Sequence, residues 1–494
     1  MAVLNGKDLT IEQVLSVAYN DEEVSLDEEA FQDIIRARKV VEDLAEGEQQ
    51  IYGLNTGVGA NNDRRITERE FHQFNERILF SHSVGLPPFA DRATVRASML
   101  LRLNTFMVGI SGISPEIPIL IKDMLNNGIH PQMPTRGSVG MADLGIMAYM
   151  GLALIGKGTV EYRGELIPAK DALDACGLKP CVLKAKDGLP LVSNNSFSMA
   201  RAVILIDEMD KLTDMSEGVY ALCLESQEYN PVFLDKRMYT NRDFEGDKKS
   251  LAHVIDCMEG SEFWTRGVED LEGSISFKSA ASIYGVFRDA LEGTKALLIK
   301  HMNSSEDCPV VLLESGEMIS TDNFIVTDLA VEFEKLDILL SHISQLIVNR
   351  ILRIDDEHFS DLPRFLRPKE EVISYATILK TISTIDSEIR LLANPVSIHY
   401  QPTSNNTEDH GCNTPLVMQK TDEIVDLLRY LVGIEAMHGA QAADLRGGRP
   451  GGKVTGKIYD AVRQEIPFLE EDNRDLGKDM VTAHDMVRDK KRLF

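Results

Sequence analysis

Gly137-Ser138-Val139-Gly140-Met141-Ala142-Asp143-Leu144 is the stretch on which the reading of this chain turns. Its two glycines mark a loop, and from Asp143 to Ile155 the spacing of apolar residues is helical, so the loop leads into a helix. Between Gly140 and Asp143 stand Met141 and Ala142 alone. Neither carries a hydroxyl, and neither offers an electrophile. Just upstream, Gly128 to Gly140 with Pro131 and Pro134 closes an N-terminal region, which divides the chain into 1–140 and 141–494.

Most of the remainder reads as helix. Phe333, Leu336, Leu340, Ile343, Ile347 and Ile351 recur at three- and four-residue steps on one face of a long helix, with Glu334, Lys335 and Asp337 expected to face elsewhere. Comparable patterning runs over 92–108, 114–126, 197–223 and 421–445. Helices this long need neighbours to bury their stripes, which predicts an all-α fold with a long central helical bundle, completed by other subunits. A single hairpin is expected at 159–167, turning at Arg163-Gly164. The polar, irregular stretches 235–275 and 352–372 are expected to cover a site.

The bulk properties narrow the function. The 494 residues are 43% hydrophobic and 26% charged, ordinary for a globular protein. Lys plus Arg number 52 against 78 Asp plus Glu, a net charge of −26, which argues against nucleic acid or an anionic membrane as partner. The basic run Lys490-Lys491-Arg492 reads as a solvated terminus. With no signal-like start and no run of about 18 apolar residues, a cytoplasmic protein is expected. Six scattered cysteines form no Cys-x-x-Cys pair, so they read as incidental thiols, and no metal site is expected.

A second motif is Tyr52-Gly53-Leu54-Asn55-Thr56-Gly57-Val58-Gly59. Its glycines allow a close approach to a ligand, and the tyrosine at its head is a general base once its phenol is deprotonated. Alone, such a loop is more often a plain turn. It lacks the Lys-Ser/Thr ending of a phosphate-binding loop.

Read in order, these motifs gain company: Arg102-Leu103-Asn104, Ser111 to Glu116, Asn127-Gly128-Ile129-His130-Pro131, Asp187-Gly188-Leu189, Arg288-Asp289-Ala290, Asn323-Phe324, Glu408-Asp409-His410 and Ala440 to Arg446. The set resembles the histidine and phenylalanine (aromatic amino acid) ammonia-lyase family from about Leu9 to Arg446. The resemblance implies an all-α homotetramer with active sites built from more than one subunit. In that family Gly-Ser-Val-Gly is followed by Ala-Ser-Gly and Asp-Leu, and the Ala-Ser-Gly cyclises to a methylidene-imidazolone electrophile. Here Gly140, Met141, Ala142 and Asp143 form a degenerate version, one residue short and without the serine, so no such cofactor is expected.

Carried over position by position, the resemblance makes Tyr52 the catalytic base. It gives substrate-binding roles to His82, Asn323, Phe324 and Glu408. His82 read plainly is also a histidine satisfied between helices. Other positions depart from the family: Ile275 replaces a tyrosine, and Lys278 replaces the carboxylate-binding arginine, offering a point charge without the two-pronged contact. Asn194 fills an asparagine's role after a one-residue shift in Ser193-Asn194-Asn195, and Tyr229-Asn230-Pro231 lacks the family's His-Pro-Gly.

The missing triad bears on the chemistry, because a β-proton beside an aromatic ring is barely acidic and ammonium leaves poorly. General acid-base help contributes roughly 10²–10⁴-fold, short of a full enzymatic acceleration. The first expectation is therefore an ammonia-lyase-like enzyme acting on a small carboxylate-bearing aromatic or imidazole substrate. Tyr52 would abstract a proton in an elimination, isomerisation or cyclisation that needs no methylidene-imidazolone. Two alternatives stay open. Ala142 could stand for a cyclised Ala-Ser-Gly written as one residue, giving a conventional lyase, or the chain could be a non-catalytic binding or regulatory homologue.

Overall fold

The computed structural model describes residues 1–239, 241–265, 273–489 and 492. Lys490 and Lys491, read above as a solvated terminus, lie outside the described residues, as do 240 and 266–272 of the expected covering stretch. Two compact units are present: Met1–Leu205 with Thr294–Glu332 and Pro395–Gln419, and Ile206–Gly293 with Phe333–Asn394 and Lys420–Phe494. Neither is a single run of chain. The architecture is all-α, and its longest helices are Ser196–Ser226, Ala280–Met302, Thr327–Ile354 and Thr414–Arg446.

In the first unit the helix Arg92–Phe106 is buried on every position from Thr94 onward, and Leu144–Leu154 is nearly as enclosed. Helices buried all round are core helices, and both carry apolar residues on every face. Arg102 is tolerated there because its Nη2 donates to Pro190 O at 2.6 Å and to Asp307 Oδ1 at 2.7 Å, with its guanidinium 3.8 Å from the centre of the Phe106 ring. The hairpin forms as expected, Thr159–Tyr162 with Glu165–Pro168, and Ile129–Pro131 joins it as a third antiparallel strand. Three further two-stranded sheets, at most four residues per strand, were not expected. Strands that short show no alternation to read.

In the second unit the predicted stripe from Phe333 to Ile351 is buried throughout. Contrary to the expectation, so are Glu334 and Asp337. Asp337 accepts a hydrogen bond from Thr421 Oγ1 at 2.7 Å, with Lys420 Nζ at 3.8 Å. The helix buries more than one face, and the pattern of apolar residues reports one. The stretch expected to be irregular between 235 and 275 contains the helix Glu245–Cys257, packed through Leu251, Val254 and Cys257. Polar residues on its outer face hid its periodicity.

All six cysteines are free, with Cys223, Cys257 and Cys412 buried. Among the described residues one helical stretch, Gly188–Ser226, is long and apolar enough to cross a membrane, and its apolar window is 94% buried within the protein.

Candidate active site

The first unit holds a cavity of about 660 Å³ whose wall includes Tyr52, His82, Met141, Ser193, Cys308, Phe324 and Glu408. Tyr52 sits in the tight turn after Ile51. Gly53 has φ +70°, a conformation that favours glycine. The Tyr52 hydroxyl accepts a hydrogen bond from Gly59 N at 3.2 Å. Gly59, at φ +56°, brings Glu408 to the same place, since a Cβ built on it would lie 3.9 Å from Glu408 Oε1. Burial pushes the Tyr52 phenol above its ordinary 10; the Gly59 hydrogen bond opposes this, and neighbouring Cys308 and Glu408 add to it.

His82 ends the helix Phe71–His82. Its Nδ1 lies 2.8 Å from Ile78 O. A nitrogen facing a carbonyl carries a proton, which leaves Nε2 as the ring nitrogen without a described partner, on a residue of the cavity wall. Glu408 closes a turn in which Thr403 Oγ1 donates to its Oε2 at 2.7 Å. Asp409 and His410 also line the cavity. Among the described lining residues two carboxylates and two histidines appear, and no lysine or arginine.

The degenerate loop is part of the same wall. Gly140, at φ +76°, approaches the 413–414 backbone so closely that a Cβ would lie 2.6 Å from Thr414 N. Ala142 is held left-handed at φ +66°, a strained conformation for a residue with a Cβ. Met141 pairs with Ile325 in an isolated antiparallel bridge and is part of the cavity wall.

Behind the loop, Asp143 accepts from Ser198 N and Ser198 Oγ, both at 2.8 Å. Glu306 accepts from Asn195 N at 2.7 Å and Ser196 Oγ at 3.2 Å. The two carboxyls thereby satisfy donors at the start of the helix Ser196–Ser226. Burial pushes Asp143 up to about 7, against the Ser198 hydrogen bonds, and pushes Glu306 up to about 7 as well.

Not every expected residue reaches the cavity. Asn194 is fully buried and turned into its own backbone, with Nδ2 3.3 Å from both Pro190 O and Leu191 O. Ser193 takes the place on the wall. Asn323 is exposed and off the wall, while Phe324 and Ile325 line it. Lys278 belongs to the second unit, where it ends the short helix Ile275–Lys278 with Nζ 6.0 Å from the centre of the Phe233 ring; Ile275 is 62% exposed. Residues that sequence reasoning left out as site candidates include Cys308 and Glu306, whose places follow from tertiary packing with no motif to announce them, while Ser193 was noted only as a departure from the family's pattern.

Although no ligand spacing pointed to a metal, the second unit brings Asp214, Glu217 and His253 together, with ligand atoms within 4.8 Å of one another. Arg288 donates to Asp214 Oδ1 at 2.8 Å and to Glu217 Oε2 at 2.6 Å. The guanidinium already supplies the charge these carboxylates need.

Residues 9–464 match the family model described as aromatic amino acid lyase. The chain is 31% identical over 484 residues to a histidine ammonia-lyase of Geobacillus sp. (strain WCH70), covering 97% of this chain and 95% of the relative. It is 33% identical over 486 residues to one of Chloroflexus aurantiacus, covering 95% and 93%. Among solved structures it is similar to an ergothioneine-degrading enzyme, ergothionase from Treponema denticola, in complex with desmethyl-ergothioneine sulfonic acid. That likeness has a TM-score of 0.98 and 36% identity, and covers 100% of this chain and 99% of the other. The chain belongs to the aromatic amino acid lyase family, whose members are lyase-type enzymes.

Proposed function

We propose that this chain catalyses the elimination of a tertiary amine from a betaine of an imidazole amino acid, with Tyr52 as general base and without a methylidene-imidazolone. Ergothioneine, the trimethylammonium betaine of 2-thiohistidine, is the representative substrate. The observation that carries the reading is the charge of the wall around Tyr52: Glu408 and Asp409 are present, and no lysine or arginine is among the described lining residues. Such a wall favours a fixed cation. A quaternary ammonium cannot be deprotonated, so unlike a primary ammonium it stays in its leaving form at every pH, which eases its departure without an added electrophile. The residues 140–143 do not fit the family's cofactor, because a serine hydroxyl must be lost to make it and they contain none.

In the step proposed, the Tyr52 phenolate takes the proton from the substrate's β-carbon. The C–H electron pair becomes the Cα–Cβ double bond, and the Cα–N bond breaks with its pair leaving on nitrogen. The products are an unsaturated imidazole acid, a neutral amine and a protonated Tyr52. In this reading His82 Nε2 accepts a hydrogen bond from the imidazole N–H. A cation beside Tyr52 also counters the burial that holds its phenol protonated. The carboxylate role expected of Lys278 rests on the resemblance.

The test supplies ergothioneine and histidine side by side and follows released amine and the absorbance of the unsaturated acid. Trimethylamine from ergothioneine with no ammonia from histidine is expected. Ammonia from histidine would overturn the reading. So would an intact mass that fits only an added Ser-Gly less two waters at Ala142, because that is the mass of the hidden cofactor.

A further inference from the structure

The turn that carries Glu408 runs through three successive left-handed residues. Ser404, Asn405 and Asn406 have φ of +48°, +55° and +65°, and none is glycine. A turn of this kind keeps its shape when contacts around it fix it. Across its mouth Thr403 N donates to Glu408 O at 2.8 Å, and Thr403 Oγ1 commits its proton to Glu408 Oε2 at 2.7 Å.

Within the turn Thr407 Oγ1 and Thr407 N both donate to Ser404 O, at 2.6 and 3.2 Å, and from outside it is held by Tyr400. Its hydroxyl lies 3.1 Å from Glu408 O, 3.3 Å from Thr403 Oγ1 and 3.7 Å from Met141 Sδ. One phenolic proton faces three acceptors; the carbonyl is nearest and strongest, with the hydroxyl oxygen and the thioether as weaker neighbours. The ring is seated against Gly411, where a Cβ would come within 2.5 Å of Tyr400 Cε2 and 3.0 Å of Val139 O. Tyr400 is thus wedged between the Glu408 turn and the loop that contains Met141.

We propose that Tyr400 is a positioning residue that ties the Glu408 turn to the Met141 loop and so presents the carboxylate beside Tyr52. Met141 then has a use of its own as the far anchor of the wedge. The inference rests on the cation-binding reading of Glu408, and its test separates the two.

Tyr400→Phe removes the hydroxyl and leaves the ring; Thr403→Val removes the second hydroxyl and guards against a peculiarity of one variant. Amide hydrogen exchange over 403–410 reads the turn, and KM against kcat for ergothioneine reads the carboxylate. In Tyr400→Phe, exchange faster by about two- to tenfold is expected, the range that one lost hydrogen bond gives. KM should rise by a similar factor with kcat little changed, and Met141→Leu should produce a smaller effect of the same sign. Exchange unchanged in both variants would overturn the proposal, as would faster exchange with KM unmoved. If the wild-type protein turns over no ergothioneine, the proposed function fails, while exchange still decides the wedge.

Discussion

Asp143 and Glu306, 0% and 4% exposed, turn their oxygens onto backbone amides and serine hydroxyls at the start of one helix. Glu408 and Asp409, in the same unit, line open space, and Glu408 takes a single side-chain hydrogen bond among the described residues, from Thr403. Asp143, Glu408 and Asp409 lie in motifs that the family resemblance picks out, and Glu306 does not. Only the second pair faces open space that a ligand can reach. A buried, hydrogen-bonded carboxyl holds the fold and one open to the cavity can bind, so the two pairs should separate cleanly under mutation.

The largest effect belongs to the cavity. Tyr52→Phe removes the base and leaves the wall intact, so kcat should fall by roughly 10²–10⁴-fold while ergothioneine affinity, measured by calorimetry, changes little. Retained turnover would show that the open carboxylates serve binding alone. The pH profile sharpens the same point. Burial holds the free phenol above its ordinary value, and a base must be deprotonated to act, so kcat/KM should rise with pH. Bound cation favours the phenolate, so kcat should level off at lower pH than kcat/KM.

Next is the buried pair. Asp143→Ala would leave Ser198 N–H and its hydroxyl without partners in the interior, at a loss of about 1–3 kcal/mol of stability. Glu408→Ala leaves exposed groups behind and should stay within about 0.5 kcal/mol. Denaturant melts of the two variants measure the contrast directly; equal losses would erase the distinction between the pairs.

That distinction was only half legible in the sequence. The Phe333 to Ile351 stripe could be read because a helix with one dominant apolar face repeats every three or four residues, and the Tyr52 loop because glycines advertise close approach. Asp143 stood out as part of a motif. Glu306 did not: it reaches Asn195, 111 residues away in the chain, through packing alone. Asn194 and Ser193 differ by one position, and which of them reaches the wall depends on how the chain leaves the helix Gly188–Val192. Asp337 misled because a pattern of apolar residues cannot report a second face buried through paired polar groups.

Glu408→Gln should act on binding. It removes one charge from a half-exposed position and keeps the hydrogen bond from Thr403, so KM for ergothioneine should rise about tenfold, as a partly screened contact of a few ångströms implies. Binding of an imidazole acid without the trimethylammonium group should hardly change. If both ligands weaken equally, Glu408 supports the wall and does not read charge.

The smallest effect is a slope. Asp143 and Glu306 titrate near 7 in the folded chain against ordinary values of 3.8 and 4.5, chiefly because burial disfavours their charged forms. Folding therefore takes up protons between about 4 and about 7, so their contribution to stability is full below the ordinary values and is lost as pH rises through about 7. Glu306→Gln keeps an acceptor for Asn195 N and removes the titration. The variant should lose part of the decline in melting temperature that the wild-type protein shows across that window. A decline unchanged in Glu306→Gln would show that this buried carboxyl does not carry the slope.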